Sequence, residues 1–139
     1  LSVKTFDLSV STKGFNDILD ITDQVNKILN NNDFSEGSVL IFVPGATAGI
    51  TTIEYEPGLL KDYPHFMENI IPQNKRYSHN DTWHDGNGFS HVRAALQGAS
   101  ITVPFKSNRL LLGTWQQIVL IDFDNRPRKR KIIVQFNYE

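Results

Sequence analysis

Ser38-Val39-Leu40-Ile41-Phe42-Val43, fenced by Gly37 on one side and Pro44-Gly45 on the other, is the stretch on which the fold turns. A short continuous apolar run between turn residues predicts a central strand buried on both faces. Working outward, Leu1 to Val10 alternates apolar and polar side chains, the period-2 signature of a strand with one buried face. A turn is expected around Lys13-Gly14. Further strands are expected at Ile50 to Tyr55, Ser100 to Phe105 and Arg130 to Tyr138, with a long one over Leu110 to Phe123 interrupted near Gly113. Asp124-Asn125-Arg126-Pro127 reads as the turn of a closing hairpin.

Helical spacing is sparser. Val25, Ile28 and Leu29 predict a helix over Asp23 to Asn30, with Thr22 as its N-cap. Leu59, Leu60, Tyr63, Phe66, Met67, Ile70 and Ile71 recur at helical steps, but Pro64 interrupts them and predicts two short helices meeting near Tyr63. Ile71 to Ser90 has no period and reads as one irregular segment, the kind of loop that often carries function. Ser90 then caps a helix over His91 to Gln97, closed by Gly98. The sum is one α+β domain over residues 1–139: a mixed or antiparallel, β-sandwich-like sheet arrangement with a few short helices.

Composition narrows the function classes. The 139 residues are 40% hydrophobic and 21% charged, a globular mixture that argues against a disordered or fibrous chain. No apolar run approaches the roughly 20 residues of a membrane-spanning helix. The absence of cysteine removes disulfides, thiolate zinc sites and a cysteine nucleophile together. The N-terminal segment has no charged head followed by an apolar stretch, so a cytoplasmic protein is expected. Net charge is −1, but residues 1–70 hold four Lys/Arg against ten Asp/Glu, and residues 71–139 ten against five. The balanced total argues against a dedicated nucleic-acid binder. The two halves either meet head-to-tail between identical subunits or simply intermix in the fold.

The chemistry candidates concentrate in one segment. His79, His84 and His91 fall within thirteen residues, interleaved with Asp81 and Asp85. Imidazoles among carboxylates bind metals and move protons near neutral pH. Their spacing matches no standard zinc motif, which leaves both a metal site on His79, His84 and His91 and a solvated loop open. A helix beginning at Ser90 would put His91 in the first turn, where backbone N–H groups and the helix dipole favour an anion, with Arg93 adding a fork of donors. A phosphate, pyrophosphate or carboxylate is the ligand such a place would take. Leu111 to Gln117 suggests a strand bulge holding a buried Gln116 that needs partners. Arg126, Arg128, Lys129, Arg130 and Lys131 place five cations in six residues; a solvated hairpin end, a phosphate site and a subunit contact are all open.

Tyr77-Ser78-His79, Asp85-Gly86-Asn87-Gly88-Phe89-Ser90-His91-Val92, Ala95-Leu96-Gln97-Gly98, Leu112-Gly113-Thr114-Trp115-Gln116 and Asp124-Asn125-Arg126-Pro127-Arg128 occur in this order. The set resembles the YjbQ-like family, whose members are also called secondary thiamine-phosphate synthases, over nearly the whole chain. The resemblance implies a β-sandwich-like α+β fold and a homotrimer with the polar loop near a subunit boundary. The implied activity is weak thiamine-phosphate synthesis, joining a pyrimidine pyrophosphate to a thiazole phosphate with loss of pyrophosphate. The matching positions are Glu54, His79, Asp85, Asn87, His91, Thr114 and Gln116. This chain departs from the family pattern at Gly45 and Ala46, where a histidine and a threonine are common, and at Ile53 and Gly86.

The expectation is therefore a small transferase acting on a phosphorylated small molecule. Its catalytic groups would be His79, Asp85 and His91. Glu54, Asn87, Ser90, Arg93, Thr114 and Gln116 would hold the ligand or its anionic group. A divalent metal, zinc or magnesium, is the cofactor His79, His84 and His91 would take. The competing expectation is a non-enzymatic trimer that binds a metal or an anionic metabolite. Membrane and nucleic-acid partners are not expected.

Overall fold

β-Branched and aromatic runs interrupted by turn residues build eight strands, and the few helical stretches fill the gaps between them. The computed structural model describes residues 1–139. In chain order the elements are β1 (Ser2–Thr12), β2 (Asp17–Asp20), α1 (Thr22–Asn30), β3 (Glu36–Phe42), β4 (Ala48–Ile53) and α2 (Pro57–Ile70). There follow α3 (Ser78–Trp83), α4 (Gly88–Gln97), β5 (Ser100–Lys106), β6 (Arg109–Leu110), β7 (Gln117–Asp122) and β8 (Arg128–Tyr138). One sheet has the order β1-β8-β3-β5-β6 and the other β2-β7-β4, with every pairing antiparallel. No helix is long and apolar enough to cross a membrane.

Alternation along the strands assembles three layers. Val39 and Ile41 of β3, Val103 and Phe105 of β5, and Ile132, Val134 and Phe136 of β8 face Ile50, Ile118 and Leu120 of the smaller sheet. Phe136 anchors that core, with its ring 5.1 Å from Phe34, 5.7 Å from Phe105 and 5.9 Å from Phe6. The opposite side of the smaller sheet presents Ile18, Val119 and Ile121 to Met67 of α2 and to Phe89 and Ala94 of α4. The α+β architecture, its antiparallel sheets in two layers and its few short helices are as expected from the sequence.

Several local expectations need correction. The strand buried on both faces is β7, where Ile118 to Ile121 are fully buried, and not β3, whose Phe42 is 38% exposed on the outer face. An apolar run marks burial of its inward positions; the outward neighbours of β3 are only half covered. The long strand expected over Leu110 to Phe123 is two strands in different sheets, β6 and β7, joined by an exposed loop. Asp124 to Pro127 closes no hairpin: it carries the chain from the smaller sheet into the larger one. Helix α2 runs unbroken through Pro64. Its start is fixed by Glu56, whose carboxylate accepts from the Gly58 and Leu59 N–H groups. Packing of Leu60, Tyr63 and Met67 on the second core keeps the helix together across the missing proline donor.

Candidate functional site

The segment without sequence period contains a helix. α3 buries no residue, so no apolar repeat announces it. It is held by its ends: the His84 N–H donates to the Asn80 carbonyl with His84 in the left-handed conformation, and Asn80 Oδ1 accepts from the Gly88 N–H at 2.9 Å. Helix α4 starts at Gly88 with Asn87 at its cap, three residues earlier than expected. Ser90 is therefore no cap; its hydroxyl is fully buried inside the first turn. The Ser90 and His91 N–H groups both donate to the Asn87 carbonyl, so His91 stands one turn in.

Packing α3 across the start of α4 brings His79 onto His91, with ring centroids 4.1 Å apart and planes inclined by 37°. Asp85, in the intervening loop, lies 3.6 Å from His79 Nδ1, an electrostatic contact beyond hydrogen-bond length. Burial holds the His91 imidazole below its ordinary range, and the neighbouring His79 pushes the same way against the opposing pull of Asp124 and Asp85. His91 is thus neutral near pH 7 and able to accept a proton. His79 Nδ1, Asn87 Oδ1 and Ser90 Oγ are buried with no hydrogen-bond partner in the chain. Buried polar atoms are nearly always paired, so three orphans around one helix start mark a place built to meet something else.

Beneath the pair lies a charge network that sequence reasoning did not assign to the site. Asn87 Nδ2 donates to Asp124 Oδ1 at 3.2 Å, and Thr47 Oγ1 to Asp124 Oδ2 at 3.2 Å. Burial alone would raise the Asp124 carboxyl, but the Asn87 side chain, the Asn125 N–H, the Arg128 charge and Thr47 together hold it below its ordinary value. Arg130 donates from Nε and Nη2 to Asp122 at 2.8 and 2.9 Å, and from Nη2 to Thr47 Oγ1 at 2.6 Å. Thr12 adds a hydroxyl to Asp122 at 2.6 Å. The available signal was the pair Asp122 and Asp124, two carboxylates at alternate positions following the apolar run Ile118 to Ile121.

Other expected residues lie elsewhere. The Arg93 guanidinium faces away from any anion at the helix start: Nε and Nη2 donate to the Ile71 carbonyl at 3.0 and 2.7 Å. Nη1 donates to Asn16 Oδ1 at 3.1 Å, and Nη2 meets Glu68 at 2.9 Å. Its fork is spent on tying α4 to the end of α2. Gln116 is exposed rather than buried, bonded to Thr52 Oγ1 and to the Gly113 N–H within its own loop. Glu54, Thr114 and Gln116 share a separate cavity of about 410 Å³ beside the exposed Trp115. Five residue steps of β4 separate it from the histidine end, about 17 Å at the rise of a strand. His84 is exposed, and no three His, Asp or Glu side chains converge as ligands would. Two stacked imidazoles with one offset carboxylate do not fit a tetrahedral or octahedral ion.

Residues 6–139 match the family model described as UPF0047 protein YjbQ-like. A UPF0047 protein of Archaeoglobus fulgidus is 40% identical over 129 residues, covering 93% of this chain and 98% of that one. A UPF0047 protein of Methanocaldococcus jannaschii is 33% identical, covering 94% and 91%. Among solved structures, a YbjQ-like protein of unknown function from Sulfolobus solfataricus superposes with a TM-score of 0.93 at 33% identity, covering 99% of both chains. A hypothetical protein from Aeropyrum pernix gives 0.90 at 29% identity over 98% and 99%. With a model that spans all but the first five residues and relatives of the same length and fold, this chain belongs to the UPF0047, YjbQ-like family.

Proposed function

We propose that the His79–His91 pair is the proton-handling centre of a small transferase acting on a phosphorylated small molecule, of the thiamine-phosphate synthase type. The observation that carries the reading is the stacked imidazole pair, one member kept neutral and the other beside a carboxylate, among three buried polar atoms without partners. Such a pair separates an acid from a base within one site. In the transfer, a thiazole nitrogen bonds to the carbon bearing the pyrophosphate while the carbon–oxygen bond breaks. The electron pair leaves on the pyrophosphate oxygen. His79, with Asp85 behind it, donates a proton to that oxygen, and Asn87 Oδ1 accepts from a donor on the substrate. A homotrimer is part of the reading, supported by the exposed apolar side chains Trp83, Leu96 and Trp115.

The test is pyrophosphate release from a pyrimidine pyrophosphate in the presence of thiazole phosphate. His79→Ala and His91→Ala are expected to lower kcat by about 100-fold or more while remaining folded. Unchanged turnover in both variants would remove the histidines from the chemistry. Saturable ligand binding with no turnover by the wild type would favour a non-enzymatic binding protein.

A further inference from the structure

Arg93 is spent on the far side of α4, so the anionic end of a phosphorylated ligand needs another seat. We infer that this seat is Arg130 Nη1, in a basic cleft that Gly45 joins to the histidine cavity. The inference rests on the phosphorylated-substrate reading above and adds where the phosphoryl group binds. Arg130 is only 6% exposed, and Asp122 and Thr47 use its Nε and Nη2 donors. Nη1 has no partner in the chain. A side-chain carbon at Gly45 would sit 3.1 Å from it, so the bare glycine is the opening through which it is reached. At φ +152° this position also favours glycine.

The surroundings suit an anion. The cleft, about 530 Å³, is lined by Pro44, Gly45 and the 126–131 segment, with Pro44 and Pro127 its only apolar side chains. Arg126 and Lys129 are exposed and form no ion pair, whereas Arg128 faces Asp124 at 3.3 Å and Lys131 faces Asp7 at 3.5 Å. Five cations against Asp7, Asp122 and Asp124 leave a surplus of two positive charges, which favours a multiply charged anion. A guanidinium locked by its own carboxylate loses little freedom on binding a phosphoryl oxygen through its remaining Nη1 donors. On the other side of Gly45 lies a cavity of about 390 Å³ floored by Ala46, Ala94, Ala95 and Ala99, with His91 in its wall. The two spaces share Gly45. The ligand class is therefore a phosphate or pyrophosphate ester of a small, flat, largely apolar group. Its anion lies on Arg130, Lys129 and Arg126, and its organic part on the alanine floor beside His91.

The experiment is calorimetric titration of the full chain with inorganic pyrophosphate. Wild type is expected to bind one pyrophosphate per subunit. Arg126→Glu combined with Lys129→Glu, both exposed positions, is expected to weaken binding at least about tenfold. Gly45→Val, which places a side chain before Nη1, is expected to do the same, while Lys61→Glu on the distant face of α2 leaves it unchanged. Absence of saturable binding, equal weakening by Lys61→Glu, or wild-type affinity in a folded Gly45→Val would overturn the seat. A short single-stranded oligonucleotide that binds more tightly than pyrophosphate would overturn the small-ligand assignment. His79→Ala is expected to retain pyrophosphate binding whether or not it turns over. Loss of the anion seat and loss of the proposed chemistry are thereby read separately.

Discussion

His91 shows how two modest effects set a protonation state. Its ring is half-buried, which penalises the cation, and the ring 4.1 Å away adds repulsion if both protonate. We expect its ring protons to titrate with a midpoint below the ordinary value of 6.5 in an NMR series. His79→Ala should move that midpoint upward while leaving the burial effect in place. A wild-type midpoint at or above 6.5 would contradict the arrangement. The stability linkage has a definite sign. Because the folded state holds His91 neutral, its contribution is complete above 6.5 and is lost as pH falls from there toward the folded value. Asp124 acts in the same sense lower down: its contribution is present above 3.8 and disappears as pH falls through its depressed folded value. Urea midpoints should therefore decline in two steps on acidification, and Asp124→Asn should remove the lower one.

At the level of elements, the site exists because α3 and α4 approach closely at Gly88. A side-chain carbon there would lie 2.4 Å from Tyr77 Cβ and 3.0 Å from Asn80 Oδ1. Tyr77 is itself fixed by a hydroxyl donating to the Pro72 carbonyl at 2.5 Å. In an unconstrained helix, Gly→Ala stabilises by about 1 kcal/mol. Here Gly88→Ala is expected to destabilise by about 1–3 kcal/mol, as overpacked substitutions do. It should also shift the His91 midpoint upward by prising α3 away. Stabilisation in urea unfolding, with an unmoved His91, would show that the two helices are not in contact as described. Sequence period could not reveal this joint: α3 has no buried residue, and its signals are one asparagine bonding forward and one left-handed histidine.

Across the whole molecule, β7 is the partition on which everything else leans. Ile118 and Leu120 close the core between the sheets, while Val119 and Ile121 close the one beneath the helices. Its last residue, Asp122, delivers a carboxylate to Arg130 at the point where the chain passes from one sheet to the other. Core and site are thus consecutive on one strand. Phe136→Ala, which removes the ring shared by Phe6, Phe34 and Phe105, is expected to cost about 3–5 kcal/mol in equilibrium unfolding. The His79–His91 coupling should survive wherever the chain remains folded, because the second core is separate. A cost below about 1 kcal/mol would mean that the aromatic cluster is not the centre of the larger core.

What the sequence determined by itself was whatever repeats with a short period. Alternation at Leu1 to Val10 yielded β1, and the spacing of Val25, Ile28 and Leu29 yielded α1, because burial of one face writes itself into neighbouring positions. The clustering of His79, Asp85 and His91 was legible for a similar reason, since they lie close in the chain. The tertiary structure decided the rest. It put Gly45 against Arg130, 85 positions apart, set Thr47 and Asn87 on Asp124, turned Arg93 away from the helix start, and parted Glu54 from the histidines by the length of β4. A guanidinium or carboxylate carries no mark in sequence of which partner will neutralise it. That choice is made by which strands and helices come to lie side by side.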